Sequence, residues 1–180
     1  MLKNNNERFG IVSILVHWLS AVVILALFAV GYWMVDLNYY SEWYRTAPHY
    51  HKSVGLLLLL LTVFRISWKF ISPNPEVIAN NKTEKYAAHA GHLLLYVILL
   101  VILFSGYLIS TADGRGIDLF NWFVVPSMGE LFANQEDISG EIHEYAAYFL
   151  MGIVVLHVLA ALKHHFINKD KTLTRMLNKN

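Results

Sequence analysis

Four long apolar segments occupy most of this 180-residue chain, at about 11–35, 54–68, 93–109 and 145–162. A helix needs about 20 apolar residues to cross the hydrocarbon of a bilayer. The second and fourth segments reach that length by recruiting flanking residues, which sets the spans at about 11–35, 51–70, 89–109 and 143–165. Lipid offers the backbone no hydrogen-bond partners, so open segments of this kind are stable there only as helices. The chain reads as all-α, an integral membrane four-helix bundle forming a single domain over residues 1–180. Composition agrees, with 56% hydrophobic and 15% charged residues against about 45–50% and about 25% in soluble domains. Disordered, fibrous and nucleic-acid-binding proteins are excluded. The first segment starts too far into the chain and runs too long for a cleaved signal peptide. It has no small-residue cleavage site and carries His17 and Trp18, so it is read as a retained span.

Charge sorts by side, which is what sets membrane orientation. Lys3, Arg8, Arg65, Lys69, Lys82, Lys85, Lys163, Lys169, Lys171, Arg175 and Lys179 are on one side, eleven of the 14 cations. Arg45, Lys52 and Arg115 are on the other, together with nine of the 13 acids. Both termini and the middle loop are therefore expected to be cytoplasmic. Trp33, Tyr39, Tyr40, Trp43, Tyr44 and Tyr50 flank the outer end of the first two spans, either as rings at the headgroup layer or as packing within a loop. Ser72-Pro73-Asn74-Pro75 predicts a rigid turn after the second span. The longest non-spanning stretch is 117–141, where Leu119 to Phe123 is apolar enough to lie along the interface. The basic tail at 169–175 is expected to rest on anionic headgroups.

The chain has no Cys and nine His. That removes disulfides, iron–sulfur clusters, thiolate-bound haem and covalent haem attachment, and leaves imidazole as the obvious metal ligand. An ionisable group inside a bilayer is expensive and is a functional candidate by default. His17 and His157 lie at a similar inner depth on the first and fourth spans, while His51 and His143 begin the apolar runs of the second and fourth at the outer edge. From His143 to His157 is 14 positions, a rise of about 21 Å and a rotation about 40° short of four turns. Both rings then face one side of one helix, near opposite membrane surfaces. Two stacked planar cofactors between helices suit this spacing, each iron taking one His from the fourth helix and one from a facing helix. His51 is the natural outer partner. For the inner site His17 and His92 compete. Gly55, Gly91, Gly152 and Ala160 near the ligands leave room for a macrocycle or for close helix packing.

These residues carry a resemblance. His17-Trp18, His51-Lys52-Ser53-Val54-Gly55, His89-Ala90-Gly91-His92, His143-Glu144, and His157 followed by Ala161-Leu162-Lys163-His164-His165-Phe166 and Lys169-Asp170-Lys171-Thr172-Leu173 stand in the order and at the spacing of the bacterial cytochrome b561 family. The chain resembles that family over nearly its whole length. The resemblance implies two haem b groups, both bis-His, with His17 paired to His157 at the inner site and His51 to His143 at the outer one. It also implies an electron carrier of the respiratory chain in the bacterial inner membrane, with ubiquinone as diffusible partner. One activity known in the family, oxidation of external superoxide with electrons delivered to ubiquinone, is an alternative to an unidentified redox-protein donor.

Other residues have assignable roles. Lys52, beside His51, suits a haem propionate, the steering of an anionic substrate or a snorkelling anchor. His92 and His165, with His89 and His164, gather at the inner ends of the third and fourth spans, where a protonatable group would serve a quinone. Glu144 adjoins His143, but neighbouring helix positions point about 100° apart, so it is not expected to orient that ring. A haem-bearing membrane anchor subunit is a rival reading. So is an ion transporter, which would be expected to carry acids at membrane depth, and the first three apolar segments hold none.

Overall fold

The computed structural model describes residues 1–73 and 75–177. Asn74 of the expected proline turn and Lys179 of the inner basic set lie outside the described residues. Four helices are long and apolar enough to cross a membrane: α1 (Ile11–Met34), α2 (Thr46–Ile71), α3 (Lys82–Thr111) and α4 (Gln135–Lys163). Each of the last three begins well before its apolar run. For α3 the reason is local, since the Asn81 side chain accepts from the Glu84 N–H at 2.8 Å and Glu84 accepts from the Asn80 N–H at 2.8 Å. This pairing satisfies first-turn donors that a helix otherwise leaves open. For α4, Glu136 and Asp137 in the first turn complement the helix dipole.

Large apolar side chains such as Leu15, Val22, Leu60, Leu93 and Leu156 point outward, as a lipid solvent allows. The interior is small and sits between the two histidine layers, with Leu58, Ile98, Leu99 and Leu150 at its centre. Three buried hydroxyls fold back on their own helices. Ser20 donates to Val16 O, Thr62 to Leu58 O and Ser105 to Val101 O at 2.7, 2.7 and 2.8 Å. Small, internally satisfied groups of this kind let membrane helices approach closely.

One end of the bundle gathers both termini and the chain between α2 and α3. The Asn4 N–H donates to Ser72 Oγ, and Asn4 Oδ1 accepts from the Gly10 N–H and Ser13 Oγ. This network ties the start of α1 to the end of α2. Ser72 is extended, at φ −114° and ψ 133°, as a residue before proline should be. After α4 the chain passes through a π-helical turn, His164–Asn168, closes at Lys169 in the left-handed region, and forms a short helix α5 (Thr172–Met176). Burial pushes the Asp170 carboxyl up, but hydrogen bonds from Thr172 and His164 outweigh it and hold the group below its ordinary value. The tail is folded under the bundle, with Trp18 Nε1 donating to Met176 O at 2.8 Å and Arg175 to Glu76 O at 2.9 Å.

At the opposite end the apolar stretch expected along the interface folds as a hairpin, β1 (Ile117–Leu119) antiparallel to β2 (Phe123–Val125). The physical reason is alternation, which places Ile117 and Leu119 inward on either side of Asp118. Phe120 and Asn121, both at positive φ, make the turn. The hairpin is pinned to α2 by Ser53, whose Oγ donates to Asp118 O and accepts from the Phe120 N–H, both at 3.2 Å.

Candidate cofactor site

The bundle is built as two close pairs, α1 with α2 and α3 with α4, joined where α2 packs on α3. Among the described residues α4 makes no comparably close backbone approach to α1 or α2. Its two histidines nevertheless reach rings on those helices. His157 faces His17 with ring centroids 6.3 Å apart, and His143 faces His51 with centroids 6.3 Å apart. A metal–nitrogen bond of roughly 2.0–2.1 Å on each side, plus about 1.1 Å from ring nitrogen to ring centre, puts two imidazoles that share one ion from opposite faces roughly 6.3 Å apart. Both pairs match that separation. His92 approaches His157 more closely, with centroids 5.4 Å apart, which is shorter than the span of a shared ion.

The surroundings of His143 and His51 bear on the same use. His143 Nδ1 lies 2.9 Å from Ile102 O. A carbonyl only accepts, so Nδ1 carries the proton and Nε2 keeps its lone pair for a metal. Ser105 Oγ stands 3.3 Å from the same nitrogen. Glu144 is not involved; the orienting group comes from α3, which spacing along α4 could not name. His51 Nδ1 is buried with no partner among the described residues. Two glycines make space for these rings. A Cβ at Gly31 would stand 3.1 Å from His51 Cε1, and one at Gly106 would stand 3.0 Å from His143 Cε1. Neither was singled out from sequence, whereas Cβ atoms at Gly55, Gly91 and Gly152 would meet nothing within 4 Å. Among the described residues no group of three or more His, Asp or Glu forms a metal cage; the relevant histidines come as facing pairs.

The other candidates are more dispersed. Lys52 lines an outer cavity of about 190 Å³ with Arg45, His49, Ser110 and Asp118. His92 is exposed on α3. His165 packs on Phe166 at 4.8 Å, His164 binds Asp170 and Asn168, and His89 Nδ1 turns back to Lys85 O.

Comparison with known proteins places the chain in a family. The family model described as prokaryotic cytochrome b561 matches residues 8–179. The chain belongs to the prokaryotic cytochrome b561 family. It is 48% identical over 177 residues to cytochrome b561 homolog 2 of Escherichia coli strain K12, covering 98% of this chain and 94% of that protein. It is 26% identical over 180 residues to the probable superoxide oxidase CybB of Yersinia pestis, covering 97% and 98%, and 29% identical over 170 residues to cytochrome b562 of Cereibacter sphaeroides, covering 92% of each. As a cytochrome b561 the chain is a multi-pass bacterial membrane protein of electron transfer, and the family implies haem b.

Proposed function

We propose that this cytochrome b561 carries two haem b groups and passes electrons between a donor outside the inner membrane and the quinone pool. The observation that carries the reading is the pair of equal 6.3 Å imidazole separations at the two ends of α4. His17 and His157 would hold the inner iron, and His51 and His143 the outer one. Haem b supplies reversible one-electron exchange, and two imidazoles per iron leave no open position for oxygen. The chain's own residues hold the ligand rings in register, with Ile102 O orienting His143 and the Leu58–Leu150 layer excluding water between the sites. Positive-inside orientation would put the end with both termini in the cytoplasm. The test is a reduced-minus-oxidised absorption spectrum of purified protein with haem counted per chain. Two low-spin b haems are expected, and a chain that binds none overturns the reading.

Quinone is assigned to the inner end, where exposed His92 touches the ring of His157 and so joins lipid to the inner site; His165 is the second candidate. In His92→Ala, quinol-driven haem reduction should slow by about a hundredfold, the lower end of the range for one acid–base group. Unchanged kinetics would remove His92 from the path.

One observation favours superoxide as the external donor. Acids dominate the outer side overall, but the cavity near His51 is lined by Arg45, Lys52 and His49 against the single carboxylate of Asp118. The Asp113 carboxylate, which would repel an anion nearby, is paired with Arg115. Lys52→Glu should lower the rate of superoxide-driven haem reduction by about tenfold or more, with a flattened salt dependence. An equal rate in wild type and variant at low salt would exclude steering at this cavity.

A further inference from the structure

Arg65, on α2, lies with its guanidinium 3.0 Å from His17 Nδ1. A guanidinium only donates, so this contact occupies the Nδ1 lone pair and leaves the proton of the neutral ring on Nε2. In that arrangement neither nitrogen of His17 is free to bind a metal. One turn further along α2, Lys69 joins it over the same ring, with Arg65 at 5.2 Å and Lys69 at 5.7 Å from the centroid of Tyr96. Among the described residues neither cation has a carboxylate partner. Glu84 pairs with Lys163 and Asp170 with His164. Arg65 is half-buried within the span while Lys69 is exposed in the last turn of α2, and a half-buried cation without a counter-charge marks a place where an anion belongs.

We propose that Arg65 and Lys69 form a carboxylate clamp for the propionates of the inner haem. This rests on the two-haem reading above. A b-type macrocycle brings two carboxylates, the anions this end of α2 lacks, and guanidinium–carboxylate pairing is planar and bidentate. With Arg65 on a carboxylate, His17 Nδ1 would be left to carry the proton and Nε2 to hold iron.

The test is titration of apoprotein, expressed under haem limitation and held in detergent, with haemin or with haemin dimethyl ester. In wild type the ester should bind the inner site about tenfold more weakly than haemin, the loss of a charge-assisted contact, with the outer site as internal reference. In Arg65→Gln haemin itself should bind the inner site as weakly as the ester does, and the inner reduction potential should fall while the outer stays. Arg65→Lys should recover part of each. If wild type does not distinguish the two macrocycles at the inner site, the clamp is overturned even where Arg65→Gln fails to fold. A wild-type chain that takes up neither overturns the haem reading itself.

Discussion

Replacing His157 by Ala should remove the inner haem and leave the outer one, and replacing His143 should do the converse. The expected count falls from two haems per chain to one in each variant, and the two remaining spectra should differ. The argument is geometric. His143 and His157 stand on one face of α4, and each meets its partner at 6.3 Å on a different helix, His51 on α2 and His17 on α1. Losing one imidazole removes one of two strong bonds to iron at that end only. The Leu58, Ile98, Leu99 and Leu150 layer separates the two sites, so damage should not spread. Haem quantification with electron paramagnetic resonance checks both variants. Retention of two bis-His signals in either would refute the ligand assignment.

Enlarging Gly106 should cost the outer haem alone. A Cβ there would stand 3.0 Å from His143 Cε1 and 3.2 Å from Nδ1, tighter than ordinary contact, and the ring is already tied to Ile102 O. Gly106→Ala forces a shift of a few tenths of an ångström and should alter the outer low-spin signal. Gly106→Val adds branches that the helix cannot turn away, and should lower outer haem occupancy at least tenfold. Helix propensity works in the opposite direction, since Gly is less favourable than Val in a helix interior by several tenths of a kcal/mol. A loss of haem therefore cannot be ascribed to a weakened α3. Full occupancy in Gly106→Val, measured as haem per chain, would show that His143 has another place to go.

Much of the candidate site was readable along the chain because a helix is periodic. The 14-residue step from His143 to His157 predicts a common face without reference to any neighbour, and the depth of His17 and His51 follows from counting into each apolar run. The competition between His17 and His92 did not yield to counting, since both lie at a comparable depth. Separations of 6.3 and 5.4 Å to the same ring distinguish them in space. Gly31, Ile102 O and Arg65 belong to helices whose rotation about their own axes depends on packing. Their meetings with His51, His143 and His17 have no signature in spacing. The hairpin escaped the sequence reading for a different reason, because Leu119-Phe120-Asn121-Trp122-Phe123 reads equally well as an interfacial segment until Ser53 pins the backbone of Asp118 and Phe120.

Apolar length and the absence of cysteine alone determined that this chain is a helical membrane protein whose metal chemistry would rest on histidine, because lipid permits few backbone solutions and ligand chemistry depends on residue type. Tertiary structure alone decided which histidines face each other, which groups orient them and which cations lack an anion. Those outcomes depend on how rigid helices rotate and pack, and that is settled by contacts between residues far apart in the chain.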